Sequence, residues 1–356
     1  MNKFLIINPF GIGDVLHSTP IIQAIKEAYP DSYIAFWCNQ RTQGLLKNNP
    51  AINRIFPLSR GDLKKIYHQS KWAGIRDSMK LFLGIAKERF DIVLDFSLDH
   101  RYGLVTLLAG IKKRIGFNYK NRGRFLTDKI FLDAYVDRHV VDYYWELLKP
   151  LGIKTKIFNL EFAASAKSIQ KIKNLLSSRG LKENDLLIGI FPGGGASWGP
   201  DAGIRHWPAL RFAQLADLLI EKTGAKIVIL GDKTERPLVE IVKNAMKNKS
   251  IDLAGAVELE DLSALLRSLK LLVSNDGGPL HMATASGIRT LSIFGSVSEV
   301  VYGPYPTSRE HVVLKTEMEC RPCYKNFRLE VCRKDKECLK QVSVDAVFDA
   351  AVKLII

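Results

Sequence analysis

One turn in the sequence combines a carboxylate, two glycines and a histidine, in the order Ser274-Asn-Asp-Gly-Gly-Pro-Leu-His281. It follows an apolar run that predicts a strand, and Pro279 takes the favoured first position of the next helix. The amides of Gly277 and Gly278, at that helix N-terminus, would bind a diphosphate, and His281 could donate a proton to a departing phosphate oxygen. A capped helix with a buried histidine is the structural alternative, but it does not explain why these residue types occur together.

A second turn contains three consecutive glycines and, further on, an arginine. It extends from Phe191-Pro-Gly-Gly-Gly-Ala-Ser-Trp198 to Arg205-His-Trp-Pro208. Main-chain amides of such glycines, Gly194 and Gly195 among them, can surround a phosphate group. The planar guanidinium of Arg205 suits phosphate oxygens. A flexible loop would explain the glycines alone, but the cation and the helix start that follow favour a phosphate site.

Two further turns carry carboxylates after predicted strands. In Phe10-Gly-Ile-Gly-Asp14, the carboxylate of Asp14 is placed either as a general base or as a helix cap. The glycine spacing differs from Gly-x-Gly-x-x-Gly, so a dinucleotide site is poorly supported. In Leu230-Gly-Asp-Lys-Thr-Glu235, a carboxylate could hold two ribose hydroxyls. Capping of the next helix by Asp232 or Thr234, with Glu235 complementing the helix dipole, explains that turn equally well.

Short apolar runs alternate with amphipathic stretches along the chain, which predicts parallel sheets flanked by helices. Strands are predicted at 4–8, 33–38, 92–96, 114–117, 186–191, 226–230, 251–253, 271–274 and 290–294. Pro20 predicts a kink or a new first helical turn. The pattern changes between residues 141 and 168, where we place a domain junction. The sequence therefore predicts an α/β fold of two Rossmann-like doubly wound domains, facing each other across a ligand-binding cleft.

The composition is that of a folded protein with a basic first half. Of 356 residues, 47% are hydrophobic and 25% are charged, and the net charge is +15. Residues 1–160 hold 25 Lys and Arg against 14 Asp and Glu, a net charge of +11. Such a surface attracts nucleic acid, a phosphorylated substrate or a membrane, although scattered lysines also serve solubility. There is no nucleic-acid motif, no apolar run that could span a bilayer and no signal peptide, so we expect a cytoplasmic protein.

The four turns resemble those of the lipopolysaccharide heptosyltransferases, the ADP-heptose-using family of GT-B glycosyltransferases (glycosyltransferase family 9). The resemblance covers nearly the whole chain and rests on Gly11-Ile-Gly-Asp-Val-Leu-His-Ser-Thr-Pro20, Ile204-Arg-His-Trp-Pro208, Asn275-Asp-Gly-Gly-Pro-Leu-His281 and Phe294-Gly295. It implies an acceptor-binding domain at 1–160, a donor-binding domain at 161–340 and a C-terminal helix at 341–356. It also implies inverting transfer of a heptosyl group from ADP-heptose to a lipopolysaccharide inner-core or related saccharide, with no cofactor required for catalysis.

The resemblance assigns roles to individual residues. Asp14 would deprotonate the acceptor hydroxyl, and Arg205, at a position where the family often has Lys, would contact the donor phosphate and sugar. Glu235 would bind the ribose, Asp276 would lie near the donor sugar, and His281 would belong to the diphosphate turn. The other donor-site residues implied are Gly13, Gly194, Gly195, Ser197, Val257, Gly277 and Gly278, with Val257 near the adenine.

An anionic lipopolysaccharide-core acceptor fits the basic first half of the chain. The candidate acceptor-binding residues are Arg60, Lys64, Arg101, Arg122 and Arg124. A solvated surface is the alternative for each of them. The same resemblance is compatible with peripheral contact with the cytoplasmic face of the inner membrane, and nucleic acid is not an expected partner.

Four cysteines near the C-terminus, Cys320, Cys323, Cys332 and Cys338, have the spacing C-x2-C-x8-C-x5-C. In a cytoplasmic protein such a cluster suggests a structural metal before disulfides, and the opening C-x2-C suits zinc. The remaining spacing is not that of a recognised zinc finger, so reduced thiols or paired cysteines are the alternatives. Cys38 stands apart in a predicted strand and is expected in the core.

Other kinds of function are also compatible with the sequence. One is a GT-B-like transferase for another nucleotide sugar, or a sugar-nucleotide 2-epimerase, which needs no basic acceptor face. The other is a basic nucleic-acid-binding protein, whose binding would depend strongly on salt. The ordered turns argue against that last alternative.

Overall fold

The computed structural model describes residues 2–356, apart from the side chains of residues 196–198, 200 and 201. The chain forms two compact units, one ending at Glu161 and one beginning at Phe162, which we call unit 1 and unit 2. Within the described residues, no helix combines the length and the apolar character that crossing a bilayer requires.

Unit 1 is built on a sheet whose described strands have the order β3-β2-β1-β4-β5-β6. They are β1 Lys3–Ile7, β2 Tyr33–Cys38, β3 Arg54–Pro57, β4 Ile92–Asp95, β5 Lys113–Tyr119 and β6 Asp128–Leu132, all parallel to their neighbours. Nearly every residue of the central strands β1 and β2 is buried. Unbroken apolar runs of this kind are expected where helices cover both faces of a parallel sheet. Cys38 is one of these buried residues, as predicted.

Helices connect the strands of unit 1. They are α1 Ile12–His17, α2 Thr19–Ala28, α3 Gln43–Leu46, α4 Arg60–Gln69, α5 Lys71–Glu88, α6 His100–Leu108 and α7 Val140–Trp145. The new helical turn predicted at Pro20 is confirmed, because α1 ends before Ser18 and Pro20 lies in the first turn of α2. A proline is tolerated there because the first turn has no intrahelical partner for its N–H. A 3₁₀ helix, Glu146–Leu151, follows α7 and ends at Gly152 in a left-handed conformation.

Unit 2 repeats the topology of unit 1. Its parallel strands are β7 Leu187–Phe191, β8 Lys226–Ile229, β9 Ile251–Asp252, β10 Leu271–Asn275, β11 Arg289–Phe294 and β12 His311–Lys315. Their order in the described residues is β12-β11-β10-β7-β8-β9. In both sheets the first and fourth strands lie side by side, which is the strand order of the Rossmann fold.

The helices of unit 2 cover both faces of its sheet and include the C-terminus. They are α8 Ala166–Ser178, α9 Ala209–Thr223, α10 Arg236–Ala245, α11 Leu259–Arg267, α12 Gly278–Ala285, α13 Glu299–Tyr302, α14 Glu337–Lys340 and α15 Val344–Ile355. A short hairpin, β13 Tyr324–Lys325 and β14 Arg328–Leu329, precedes α14. Helix α15 packs on α9, β10 and β11, with Val347, Ala351 and Leu354 buried in the core of unit 2.

The predicted α/β fold with two doubly wound sheets is confirmed. Every predicted strand is present, and its ends differ from the prediction by at most two residues. The unpredicted strands β3, β6 and β12 lie at sheet edges. Their residues are mostly exposed or half-buried, so the sequence shows no continuous apolar run there.

Candidate functional site

The two glycine turns of unit 2 lie next to each other. Residues 192–195 follow β7 and residues 276–278 follow β10, and these two strands are neighbours in the sheet. The chain continues from β7 to β8 on one side and from β10 to β11 on the other. In doubly wound sheets, ligands bind in the crevice that opens at such a switch point. The sheet order therefore brings together the residues that the sequence singled out separately.

The main chains of the two turns are in close contact, and glycine is required for this. Gly277 has φ 147°, and a Cβ built on it would lie 2.5 Å from the carbonyl oxygen of Gly194. Gly195 has φ 78°, in the left-handed region. Residues with a side chain rarely adopt either conformation. The turns therefore present main chain, rather than side chains, at the switch point.

Asn275 holds the two turns together. It is fully buried at the end of β10, and its Nδ2 donates to the carbonyl oxygens of Pro192 at 2.6 Å and Gly193 at 3.2 Å. Its Oδ1 accepts the main-chain N–H of Trp207 at 2.8 Å. No role of its own was predicted for Asn275, although a polar residue at the end of an apolar strand is a signal for one.

Arg205 and Asp276 form a buried ion pair. The distance from Arg205 Nη2 to Asp276 Oδ2 is 2.5 Å, and the two residues are 8% and 2% exposed. Burial raises the pKa of the Asp276 carboxyl, and the guanidinium opposes that rise. The structure thus pairs two residues for which the sequence predicted separate contacts with the donor.

The Glu235 carboxylate binds the first glycine turn. Oε1 accepts the N–H of Gly195 at 2.9 Å, and Oε2 accepts the N–H of Asp232 at 2.9 Å. A Cβ on Gly193 would lie 1.9 Å from Oε1, so a larger residue there would displace the Glu235 carboxylate. Burial raises the pKa of Glu235, while the amide hydrogen bonds lower it. The capping role that the sequence allowed is present, and the ribose contact stays a prediction.

Two histidines lie close to the glycine turns. His281 is 4% exposed in the first turn of α12, a helix that begins at Gly278, one residue before the predicted start. His206 Nε2 would lie 3.6 Å from a Cβ on Gly194, and within the described residues it has no hydrogen-bond partner. Burial, together with the positive charges of Arg205 and Lys336, lowers the pKa of His206 to about 4. His206 is therefore neutral at pH 7, and no role was predicted for it from the sequence.

The remaining donor-site candidates of unit 2 lie around the same strand ends. Val257 is half-buried in the loop after β9, directly before Glu258, the N-cap of α11. This loop contacts the turn after β8 through a hydrogen bond from the N–H of Gly255 to the carbonyl oxygen of Gly231. The side chain of Ser197 lies outside the described part of the structure.

In unit 1, Asp14 is part of the N-terminal cap of α1. Its Oδ2 accepts the N–H of Gly11 at 3.0 Å, and Asn8 Nδ2 donates to its carbonyl oxygen at 2.9 Å. Asp14 and Gly13 are half-buried. The capping role that the sequence allowed is therefore present, and the role of Asp14 as a base stays a prediction.

Asp95 occupies the other side of the switch point of unit 1. It is the last residue of β4 and pairs with Ile7 of β1. Its Oδ1 accepts the N–H of Ser97 at 2.8 Å. Burial raises the pKa of Asp95 to about 6. Asp95 was predicted only as part of a strand, although a carboxylate at the end of an apolar strand is a signal for a functional site.

Two of the five candidate acceptor residues meet at one carboxylate. Arg60 Nη1 lies 3.1 Å from Asp99 Oδ2, and Arg101 Nη1 lies 3.6 Å from the same oxygen. Lys64 is exposed one turn further along α4. The other two candidates lie in the loop after β5, where Arg122 stacks on Tyr119 and Arg124 stacks on Phe125. All five side chains are exposed.

The four C-terminal cysteines are free thiols. Burial, together with the neighbouring thiols of Cys320, Cys338 and Cys332, raises the pKa of Cys323 to about 11. The N–H of Lys336 donates to Cys332 Sγ at 3.3 Å. In the part of the chain that the structure describes, no group of three or more His, Cys, Asp or Glu is arranged to hold a metal ion. A structural zinc site at these cysteines stays a hypothesis.

Two Rossmann-type sheets, with glycine turns at the switch point of the second, define a GT-B glycosyltransferase. The family model described as "Glycosyltransferase family 9 (heptosyltransferase)" matches residues 78–332, and the chain belongs to this family. The family and the fold predicted from the four turns are thereby confirmed.

Relatives with similar sequences and structures cover nearly the whole chain. Lipopolysaccharide heptosyltransferase 3 of Escherichia coli is 25% identical over 304 residues, which cover 82% of each chain. Lipooligosaccharide heptosyltransferase 2 of Haemophilus ducreyi is 26% identical over 329 residues, 88% of each chain. A solved family 9 glycosyltransferase from Veillonella parvula has a TM-score of 0.81 at 25% identity, over 99% of this chain and 97% of that one. The ADP-heptose lipopolysaccharide heptosyltransferase II of E. coli shares the fold, with a TM-score of 0.77 at 21% identity, over 99% and 98%.

Proposed function

We propose that this protein is an inverting glycosyltransferase that moves a heptosyl group from ADP-heptose to a saccharide of the lipopolysaccharide inner core. The observation that carries the proposal is the contact between the two glycine turns at the β7–β10 switch point, with Arg205 and Asp276 paired beside them. Membership of family 9, together with relatives named as lipopolysaccharide heptosyltransferases, supports the donor and the acceptor class. In this proposal unit 2 binds the donor and unit 1 binds the acceptor.

The glycine turns would bind the donor diphosphate. The amides of Gly277 and Gly278 lie at the end of β10, and α12 adds the partial positive charge of its N-terminus. The main chain of Gly194 and Gly195 lies beside them at the end of β7, where Glu235 holds the Gly195 N–H in place. Arg205 would supply a full positive charge beside them. Its ion pair with Asp276 fixes the orientation of the guanidinium before the donor arrives.

The rest of the donor would lie along the neighbouring strand ends. Glu235 would accept hydrogen bonds from the ribose hydroxyls while its carboxylate holds the Gly195 amide. Val257, beyond the end of the adjacent strand β9, would contact the adenine, and Asp276 would lie near the heptose. Ser197 completes the proposed donor site of unit 2, and a donor contact of Gly13, in the turn of Asp14 in unit 1, stays a prediction.

Transfer joins an acceptor oxygen to C1 of the heptose and breaks the bond from C1 to the phosphate oxygen, so ADP leaves with the electron pair. Asp14 would take the proton of the acceptor hydroxyl. Arg205, the glycine amides and the N-terminus of α12 would stabilise the negative charge that develops on ADP, and His281 would donate to a departing phosphate oxygen. The chain itself provides each of these groups, and the mechanism requires no cofactor.

The acceptor would contact the exposed cations of unit 1. Arg60 and Arg101 meet at Asp99, which orients them, and Lys64, Arg122 and Arg124 would add positive charge. An anionic saccharide core is attracted by such a surface. In this proposal the enzyme works in the cytoplasm, in peripheral contact with the inner membrane that carries the acceptor.

Calorimetric titration with ADP, ADP-heptose, UDP and UDP-N-acetylglucosamine tests the donor site. We expect the adenine ligands to bind and the uridine ligands to bind far more weakly. Preference for the uridine ligands would indicate another transferase or an epimerase. Binding of none of the four would overturn the donor site.

An activity measurement then tests the acceptor. We expect ADP release from ADP-heptose only when a lipopolysaccharide inner-core saccharide is present, together with a product heavier by one heptose. ADP release at the same rate without the acceptor, or an epimerised sugar nucleotide, would contradict the proposed transfer.

A further inference from the structure

Helix α5 has two apolar faces, and within the described residues one of them is left exposed. The covered face includes Leu81 and Ile85, which belong to the core of unit 1. The exposed residues are Trp72, Ile75, Met79 and Leu83, with 82%, 49%, 54% and 56% of their surface accessible. We call these four residues the α5 stripe.

The α5 stripe is continuous along the helix. Its residues are spaced by three, four and four positions, which at 3.6 residues per turn places them within about 80° of one another. Leu81 and Ile85 project from the opposite side of the same helix. Single exposed apolar residues are normal on a protein surface, but a contiguous row of large ones marks a contact surface.

Positive charge flanks the α5 stripe. Lys71, Arg76, Lys80 and Lys87 are exposed on the same helix. Residues 60–89, which span α4 and α5, hold eight Lys and Arg against three Asp and Glu, a net charge of +5. Arg76 contacts the neighbouring Asp77, but an exposed pair of this kind is only weakly held. An occupant of this surface must therefore combine apolar groups with negative charge.

We propose that the α5 stripe and its flanking cations bind an anionic phospholipid bilayer, with α5 lying in the plane of the interface. An amphipathic helix with Trp on its apolar face and lysines beside it has the composition of an interfacial membrane helix. Lysines near an anionic leaflet add to the affinity. A second copy of this chain fits poorly, because pairing two such surfaces would bring like charges together. The inference rests on the proposed function only in that the proposed acceptor is attached to a lipid.

Flotation of the purified protein with vesicles tests this directly. We expect binding to vesicles of phosphatidylcholine mixed with phosphatidylglycerol, weaker binding to phosphatidylcholine alone, and loss of binding at high salt. The double variant Trp72→Ser/Met79→Ser and the double variant Lys80→Glu/Lys87→Glu should each bind the anionic vesicles about tenfold more weakly or worse.

Matched variants of unit 2 control for general changes in surface polarity and charge. Leu210 and Ile241 are exposed on α9 and α10, and Leu210→Ser/Ile241→Ser should bind vesicles like the wild type. Lys222→Glu/Lys270→Glu makes the same charge change at other exposed positions. Circular dichroism and ADP titration of each variant show whether it is folded and keeps its donor site.

Quenching by brominated phospholipid gives an independent measurement. Trp72 fluorescence should be quenched in brominated anionic vesicles, and Trp72→Phe should remove that part of the signal. Folded stripe variants that bind as well as the wild type, equal binding to neutral and anionic vesicles, or an unquenched Trp72 would overturn the inference. The inference would also be overturned if the protein did not bind vesicles but formed a dimer that Trp72→Ser/Met79→Ser dissociates. A protein that transfers heptose to a delipidated acceptor but does not bind vesicles would keep the proposed heptosyl transfer, and it would refute this inference together with the proposed membrane contact.

Discussion

Arg205 Nη2 donates to Asp276 Oδ2 across 2.5 Å, and both residues are less than a tenth exposed. Breaking a buried pair of this kind is costly, because the remaining charge is left without a compensating charge. The pair lies at the switch point of unit 2, beside the two glycine turns. The carboxylate thus holds a cation in the place where the proposed function needs positive charge.

The first prediction concerns the shape of this cation. Arg205→Lys should fold and keep part of its activity, with turnover reduced about tenfold, because one ammonium group cannot present the planar fork of a guanidinium. Arg205→Met removes the charge, and turnover should fall roughly 100- to 1,000-fold. Steady-state kinetics at saturating acceptor measures both.

Arg211→Lys is the matched control for this substitution. Arg211 Nη1 donates to the carbonyl oxygen of Val342 at 2.6 Å, away from the glycine turns, so its replacement should leave turnover unchanged. Near-normal turnover of Arg205→Met would remove Arg205 from the proposed mechanism.

The second prediction concerns the contact between the glycine turns. Gly277→Ala should abolish ADP binding and lower the free energy of unfolding by about 1–3 kcal/mol, because φ 147° is strained for alanine and the new Cβ would lie 2.5 Å from the Gly194 carbonyl oxygen. Gly203→Ala is the control, since a Cβ there meets nothing within 4 Å and its φ is not positive. Calorimetry and urea denaturation of both variants provide the measurement. Wild-type ADP affinity in Gly277→Ala would show that the turn does not bind the diphosphate.

The third prediction separates two roles of Glu235. The Glu235 carboxylate accepts two main-chain N–H groups, those of Gly195 and Asp232. In Glu235→Gln only one oxygen can accept, and the NH₂ group faces the other N–H. The substitution also removes the negative charge that would bind the ribose hydroxyls. ADP affinity should fall about tenfold or more, since hydrogen bonds to charged groups contribute about 1.5–3 kcal/mol. Asp232→Asn changes the other carboxylate of the same turn and should affect affinity little. A variant of Glu235 that is less stable but binds ADP normally would leave Glu235 with its structural role alone.

The fourth prediction tests Asp14 as the base. Asp14→Asn keeps an oxygen that can accept the Gly11 N–H, so α1 should stay capped and ADP affinity should stay normal. Turnover should fall roughly 100- to 10,000-fold, because an amide cannot take the proton. Asp62→Asn is a close match, since Asp62 caps α4 in the same way through the Ser59 N–H at 2.8 Å. Equal turnover losses in the two variants would mean that capping explains the effect of Asp14.

The sequence predicted the central strands of both sheets because continuous apolar runs mark strands buried on two faces. It predicted the glycine turns because few residues other than glycine allow two main chains to pack as closely as those of Gly277 and Gly194. Contacts between residues that are far apart in the chain could not be predicted from the sequence. Nothing local in the sequence pairs Arg205 with Asp276, 71 residues away, or joins Glu235 to the Gly195 amide.

The edge strands and the buried polar residues were harder to predict from the sequence, for a related reason. Strand β12 pairs on one side only and is half-buried, so its pattern resembles that of a loop. Asn275 and Asp95 each close an apolar strand, and their burial follows from the strand order. Strand order depends on the whole chain. A sequence therefore shows which polar residues end apolar strands, but not which of them are buried in the folded protein.

The last prediction uses the buried carboxyl of Asp95. Its pKa is raised by burial from 3.8 to about 6, so ionisation is harder in the folded than in the unfolded protein. The contribution of Asp95 to stability should therefore become unfavourable as the pH rises from about 4 to 6, by about 3 kcal/mol at most, with the full penalty above pH 6. Asp95→Asn keeps an acceptor for the Ser97 N–H and carries no such penalty. Urea denaturation between pH 4 and 8 should show that Asp95→Asn becomes more stable relative to the wild type as the pH rises. The control is Asp133→Asn, at an exposed position, which should show no such gain. A constant difference between Asp95→Asn and the wild type across that range would mean that Asp95 titrates alike in the folded and unfolded protein.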